Sequence, residues 1–311
     1  MQNRRDFIKQ TATASGLLLA GSFPFESFAS EKIKKLTILH TNDTHSRLEA
    51  FPMDGVKYQG LGGVAPRASL INKIRKEEEH VLLLDAGDIF QGTPYFNLYK
   101  GEPEIKAMSI MGYDACTMGN HDFDAGIDGF TKQLQHANFP VLVANYDFTG
   151  TSLEHKTYPY MIIKKGRIKI GIFGLGIELD GLVNKHDYEG VKYLDPIQVA
   201  KQISGTLKSD EKCDMVICLS HLGYEYETNK ISDKIIGAES EHIDLIIGGH
   251  THTFLDKPLI TKNKSGSEII INQVGWAGVR LGRLDFEFSG KKTASLTNSQ
   301  SVIINKETSA E

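Results

Sequence analysis

Apolar and polar positions along the chain repeat one arrangement: a strand-length apolar run, an exit into a polar turn, then a stretch with helical spacing. Lys35-Leu36-Thr37-Ile38-Leu39-His40 exits into Thr41-Asn42-Asp43-Thr44-His45, and Val81-Leu82-Leu83-Leu84-Asp85 into Ala86-Gly87-Asp88. Ala115 to Met118 exits into Gly119-Asn120-His121-Asp122-Phe123-Asp124, Met215 to Leu219 into Ser220-His221, and Ile243 to Ile247 into Gly248-Gly249-His250-Thr251-His252. The runs at 81–85 and 215–219 show no alternation, as expected of strands buried on both faces. Further strands are predicted at Val141 to Ala144, Ile168 to Phe173, Glu268 to Asn272 and Leu281 to Phe288, with a last one at Val302 to Ile304.

Helical spacing is predicted for Val64 to Glu79, with Ala65, Ala68, Leu70, Ile71 and Ile74 facing inward and the charge run ending at Glu79 facing solvent. Glu102 to Met111, Gly126 to Asn138, Pro196 to Leu207 and Asp233 to Ala238 read the same way. Gly174-Leu175-Gly176 follows a strand, but a lone Gly-x-Gly does not define a nucleotide loop. The alternation of elements predicts an α/β domain with its site along one sheet edge, where the polar exits gather.

Composition narrows the function classes. The 311 residues are 40% hydrophobic and 24% charged, enough for one large core, and the formal charge of −4 argues against a nucleic-acid polymer as partner. Anionic substrates would then need local positive charge, which bound cations can supply. Cys116, Cys213 and Cys218 sit inside apolar runs and read as buried thiols. Residues 1–30 read as an address: Arg4-Arg5-Asp6-Phe7-Ile8-Lys9 is a twin-arginine pattern, followed by an apolar run too short to span a bilayer and a small-residue stretch ending Ser27-Phe28-Ala29-Ser30. A Tat leader, export to the periplasm and a catalytic domain over 31–311 are therefore expected, and no stable membrane span.

The strand-exit residues carry the chemistry. Asp43, His45, Asp88, Asn120, His121, His221, His250 and His252 include five of the chain's eleven histidines and no cysteine. Carboxylate, imidazole and amide oxygen suit borderline or hard divalent ions such as Zn, Mn, Fe or Co, and the count fits two ions with Asp88 as the best bridging carboxylate. His121 could address the substrate, with Asp124 orienting its ring. His40 lies within its strand and reads as packed.

The order Asp-x-His, Gly-Asp, Gly-Asn-His-Asp, His and Gly-His-Thr-His resembles the calcineurin-like metallophosphoesterase superfamily. Leu39 to His45 and Gly119 to Asp124 resemble the amino-terminal catalytic domain of 5′-nucleotidases. The resemblance implies a four-layer α-β-β-α sandwich, with Asp43, His45 and His252 on the first ion, Asn120, His221 and His250 on the second, and Asp88 between them. It implies that His121, oriented by Asp124, stabilises charge on phosphate or protonates the leaving oxygen. Gly62-Gly63-Val64-Ala65 and Arg67 resemble a family segment from which Pro66 departs. The expected substrate is a small phosphate ester, a 5′-nucleotide first; cyclic phosphodiesters, nucleotide-sugar pyrophosphates, thiosulfate esters and a non-catalytic metal-binding subunit are the alternatives. Nucleotidases of this kind carry a second, nucleoside-binding domain, and a separate polypeptide is the expected source of one here.

The leader reading predicts that Arg4→Lys with Arg5→Lys leaves full-length protein in the cytoplasm while the unaltered chain reaches the periplasm. Cell fractionation reads this directly, and undiminished export of the double variant would refute the leader.

Overall fold

Apolar parity along the strands sets the layers. In the computed structural model, which describes residues 34–289 and 294–309, the strands in chain order are β1 Lys34–Thr41, β2 Val81–Asp85, β3 Ala115–Cys116, β4 Tyr146–Asp147, β5 Tyr160–Lys165, β6 Ile168–Leu175, β7 Lys192–Tyr193, β8 Met215–Ser220, β9 Leu245–Gly248, β10 Leu259–Lys262, β11 Glu268–Asn272, β12 Arg280–Phe288 and β13 Ala294–Ile303. The helices are α1 Val64–Glu77, α2 Pro94–Tyr99, α3 Glu102–Met111, α4 Gly126–Gln133, α5 Pro196–Gly205 and α6 Asp233–Glu239. One sheet runs β13-β12-β1-β2-β3, a second β10-β11-β9-β8-β6-β5, and β4 pairs with β7 in a short ribbon. The export leader expected over 1–30 lies outside the described residues.

Even positions of β1 and β2 (Leu36, Ile38, Leu82, Leu84) share one apolar cluster with Ile168, Ile170 and Ile172 of β6, Met215, Ile217 and Leu219 of β8, and Leu245 and Ile247 of β9. The opposite parity faces helices: Leu39 and Leu83 pack with Ile71, Ile74, Ile105, Met108 and Phe130 of α1, α3 and α4. Phe173, Val216, Cys218 and Ile246 pack with Ala200 of α5 and Ile236 of α6. A strand alternates sides at every residue, so these memberships define helix, sheet, sheet and helix layers, the expected α-β-β-α sandwich. β1, β2 and β3 run parallel to one another, as do β6, β8, β9 and β11, so their carboxyl ends gather at one edge.

Local signals explain the helix limits. Asp195 caps α5, accepting from the Ile197 and Gln198 amides at 2.8 and 3.3 Å, with Pro196 at the first helical position. α3 opens with Glu102 and Glu104 in its first turn and stops at Gly112, whose φ of 71° terminates the helix in the left-handed region. α1 ends at Glu77, short of Glu79, and Ala65 is exposed whereas Arg67 is buried on the inner face. α4 gives way at Leu134 to a 3₁₀ turn, and α5 at Thr206 to a π-helical turn, so both end earlier than their apolar spacing suggests. Among the described residues no helix is long and apolar enough to cross a membrane.

Val141 to Ala144 does not form the expected strand. Val141 makes an isolated bridge to Cys116 and Leu142 one to Tyr158, while the Ala144 amide donates to the Gly174 carbonyl at 2.9 Å, so the segment is shared among three neighbours. This contact explains Gly174-Leu175-Gly176 without a nucleotide. A Cβ at Gly174 would overlap the Leu142 carbonyl oxygen, and one at Gly176 would overlap the Tyr146 ring. α2, β5, β10 and most of β13 complete the fold without a signal in the apolar pattern. His40 is fully buried with Nε2 2.9 Å from Asn272 Nδ2, and burial lowers its pKa to about 3, so it packs as a neutral ring. All three cysteines are free and buried.

Gly174→Ala is expected to lower unfolding free energy by about 1–3 kcal/mol, the usual cost of forcing an extra methyl into a packed interior. Urea denaturation measures it; an unchanged midpoint at unchanged slope would contradict the close approach of Leu142.

Candidate metal centre

Five strand exits meet at the gathered carboxyl ends. Asp43 and His45 follow β1, Asp88 follows β2, Asn120 and His121 follow β3, His221 follows β8, and His250 and His252 follow β9. Asp43, His45 and His252 form one group and Asp88, His221 and His250 another; in each, the ligand atoms lie within 4.8 Å of one another. Asn120 Oδ1 joins the second group, 2.8 Å from His250 Nδ1. Asp88 Oδ2 lies 3.1 Å from His221 Nε2 and 3.7 Å from His45 Nε2, and so stands between the groups.

Backbone contacts orient the rings. His221 Nδ1 lies 2.7 Å from the Ala86 carbonyl oxygen and His45 Nδ1 3.2 Å from that of Phe90, so each Nδ1 donates to the backbone and each Nε2 is turned into the site. His45 Nε2 and His252 Nε2 face each other at 3.0 Å. His221 Nε2 is buried and faces Asp88 Oδ2 as its polar neighbour.

The electrostatics favour a cation. Burial works against charge on His221, but Asp88 and then Asp43 raise its pKa to about 10. Burial also opposes charge on Asp88, yet His221 and His45 hold its carboxyl well below the ordinary range. Burial and then the His221 charge lower His250 to about 4, leaving it a neutral ring. The protonated His221 thus balances the buried carboxylates, a task divalent ions perform better while releasing that proton. Buried imidazole nitrogens turned toward carboxylates, oxygen and nitrogen donors without thiolate, and two converging groups all fit a pair of divalent ions.

His121 and Asp124 belong to neither group. His121 Nδ1 lies 2.8 Å from Asp124 Oδ2, the two side chains are 35% and 27% exposed, and the His121 ring centre lies 5.3 Å from that of His45. The Asp124 contact raises the pKa of His121 despite partial burial. The pair therefore stands partly exposed beside the two groups, with Nδ1 of His121 engaged by Asp124.

Asp122 has no role legible in the sequence, yet it fixes the site. Its carboxylate accepts from the amides of Asp88, Ile89, Phe90 and Gly119 at 2.8–3.1 Å, joining the loop after β2 to the loop after β3. Burial and then Asp88 push its carboxyl up to about 7, while four amide donors favour the ionised form. Gly119 is needed for the same approach, since a Cβ there would overlap Asp88 Oδ1. Asn42 is a second unread tether, donating to Asp43 Oδ2 and to the Gly275 carbonyl at 2.6 Å each. Arg67 lies buried beside Asp85 and Tyr113, with Nε and Nη1 lacking hydrogen-bond partners. Asp122 and Asn42 each bond groups far along the chain as well as near neighbours, and those long-range bonds are not visible in the apolar pattern.

Comparison with known proteins agrees with this geometry. Residues 36–254 match the calcineurin-like phosphoesterase family model. The chain is 35% identical over 293 residues to the snake venom 5′-nucleotidase of Gloydius brevicauda, covering 88% of this chain and 48% of that protein. It is 35% identical over 307 residues to the 5′-nucleotidase of Vibrio cholerae, covering 90% and 54%. The crystal structure of a 5′-nucleotidase precursor from Thermus thermophilus superposes with a TM-score of 0.81 at 30% identity, over 88% of this chain and 55% of that one. The chain spans about half the length of the curated relatives it matches. With the matched segment running from β1 through both histidines of the last exit, this chain belongs to the calcineurin-like phosphoesterase family.

Proposed function

We propose that the chain is a two-metal phosphoesterase that hydrolyses phosphate esters, 5′-nucleotides first among them. The observation that carries this reading is Asp88 standing between two ligand groups while the hydrogen-bonded His121–Asp124 pair waits outside both. Asp43, His45 and His252 would hold one ion, and His221, His250 and Asn120 the other, with Asp88 shared; Zn, Mn, Fe and Co suit these donors. When bound, such ions supply Lewis acidity and activation of water. The nucleotide preference draws support from the relatives named 5′-nucleotidase. The twin-arginine segment supports placing the protein in the periplasm.

The chain's own residues handle the proton. Asp124 fixes the His121 tautomer and orientation, so the ring presents Nε2 to the ester. In its protonated form it stabilises charge on the phosphate oxygens and delivers the proton to the leaving oxygen. A subunit that only stored metal would have no use for this pair. Positioned proton transfer of this kind contributes roughly 10²–10⁴ in rate.

Metal-saturated protein is expected to hold two ions per chain, and Asp88→Asn to weaken both. Elemental analysis checks this; a single ion in the saturated unaltered protein would contradict the shared carboxylate.

His121→Ala should lower turnover by roughly 10²–10⁴ with both ions retained, and Asp124→Asn should act in the same direction but less. Steady-state kinetics combined with metal analysis tests this, and loss of an ion from His121→Ala would move the ring into the ligand set.

A further inference from the structure

The last strand exit supplies one member to each ligand group, His250 to the second and His252 to the first, with Thr251 alone between them. Both histidines lie in the left-handed region, with φ of 72° and 51°, a conformation that side chains other than glycine's keep only where the surrounding backbone is pinned. The bond from the His250 amide to Asp43 pins the turn at one point. The rest of the hold comes from a residue outside both groups, Gln273.

β11 runs parallel to β9 with Asn272 opposite Ile247, so the next residue, Gln273, is delivered beside the start of the exit. Its side chain is fully buried. Nε2 donates to the Gly249 carbonyl at 2.6 Å, while Oε1 accepts from the Thr253 amide and from Thr251 Oγ1, the latter at 3.2 Å. One carboxamide thus grips residues 249, 251 and 253, the positions that flank and separate the two histidines. A backbone carbonyl only accepts and a backbone amide only donates, so the task needs a donor and an acceptor on one side chain; an aliphatic or ionised carboxylate side chain of the same length offers at most one. Thr251 Oγ1 in turn accepts from the Tyr224 amide at 2.9 Å, which draws the loop after His221 into the same network. The backbone completes the hold. The Leu255 amide donates to the Gln273 carbonyl at 3.2 Å and the Gly275 amide to the Thr253 carbonyl at 3.0 Å. On the other side the Val274 amide donates to Asn42 Oδ1 at 3.0 Å and the Ala277 amide to the Asp43 carbonyl at 2.7 Å. Residues 273–277 therefore tie the turn bearing His250 and His252 to the turn bearing Asp43, and none of them belongs to either ligand group.

We infer that Gln273 is a positioning residue for both ions: by fixing the backbone on either side of His250 and His252 it sets the two ligand groups relative to each other, so that losing this one uncharged side chain weakens both ions together. The inference rests on the two-ion reading and adds to it a determinant that touches neither ion. Partners that orient metal ligands commonly govern affinity by ten- to hundredfold. The role differs from that of Asp88, whose replacement would remove a ligand atom. With Gln273 altered every ligand atom remains, and only its placement changes.

Gln273→Met keeps the length of the side chain and removes both amide functions. Gln273→Asn keeps an amide that is one methylene too short to span Gly249 and Thr253, and so serves as an independent variant if the first does not fold. Titration of the metal-free full chain with Co²⁺, followed by its visible absorption, is expected to show both ions bound roughly ten- to hundredfold more weakly in either variant, with an altered absorption envelope. Gly174→Ala is the control for stability alone: it lowers the urea midpoint through its overlap with Leu142 and should bind Co²⁺ as the unaltered protein does. Unchanged Co²⁺ affinity in a folded Gln273 variant, or weakening of one ion alone, overturns the role of Gln273. A single ion in the saturated unaltered protein overturns the two-ion reading instead.

Discussion

The face-to-face packing of the two sheets is the constraint on which the site depends. Neither sheet carries a complete ligand group. Asp43 and His45 come from the β1 side of the interface and His252 from the β9 side; Asp88 comes from β2, and His221 and His250 from β8 and β9. The apolar layer between them, built from Leu36, Ile38, Leu82 and Leu84 against Ile170, Ile217 and Ile247, therefore sets the separation of the ligands. A close-packed interior resists small displacements, so side chains that carry no chemistry hold the geometry of those that do. The converse follows by linkage: ions bound across the interface would stabilise the docking of one sheet on the other.

The exits themselves are held away from relaxed backbone. Asp43, His45, Asp88, His250 and His252 all have φ between 48° and 72°, in the left-handed region where side chains other than glycine's are uncommon. Each such residue costs of order 1–3 kcal/mol and persists only where its surroundings over-determine it. They do so here. The amides of Asp43, His45 and Ser46 donate in sequence to the carbonyls of Gly87, Asp88 and Ile89 at 2.9–3.0 Å, extending the β1–β2 pairing past the strand ends. The His250 amide donates to both Asp43 oxygens, and Asp122 gathers four amides, each a charge-assisted bond worth roughly 1.5–3 kcal/mol. The bonds around Asp122 and Asp43 are individually as large as the strain they oppose, so the loops are fixed before any ligand arrives.

What could be read from the sequence follows from this construction. The exits were legible because buried parallel strands leave unbroken apolar runs, and whatever terminates such a run is conspicuous. The two apolar faces of β2 and β8 were implicit in the same runs. β5 and β10 are edge strands and only partly buried, and so left a weak pattern. Val141 to Ala144 has strand composition but is divided among Cys116, Tyr158 and Gly174, a choice made by tertiary contacts. The ligand residues were recognisable by type, whereas Asp122, Asn42 and Arg67 stood in the same family-like segments without a role that their type or spacing could assign, because the bonds that matter reach across the fold. Gln273 was hidden for the same reason: it meets Gly249, Thr251 and Thr253 only through the fold.

The divided origin of the site also sends neighbouring residues of one turn in different directions. Asn120 and His121 are adjacent, yet Asn120 Oδ1 reaches His250 on the opposite sheet while His121 is turned outward to Asp124. The His121 amide donates to Asp88 Oδ1 at 2.8 Å, so His121 is tied through its backbone to the carboxylate between the two ligand groups. Any shift of Asp88 would move the His121 backbone with it. Because Asp122 also holds the Asp88 amide, the short turn from Gly119 to Asp124 fixes three relations at once: Asn120 to the second group, Asp88 to both groups, and the His121–Asp124 pair to Asp88. Such a turn tolerates little insertion, since one added residue would break the register of all three.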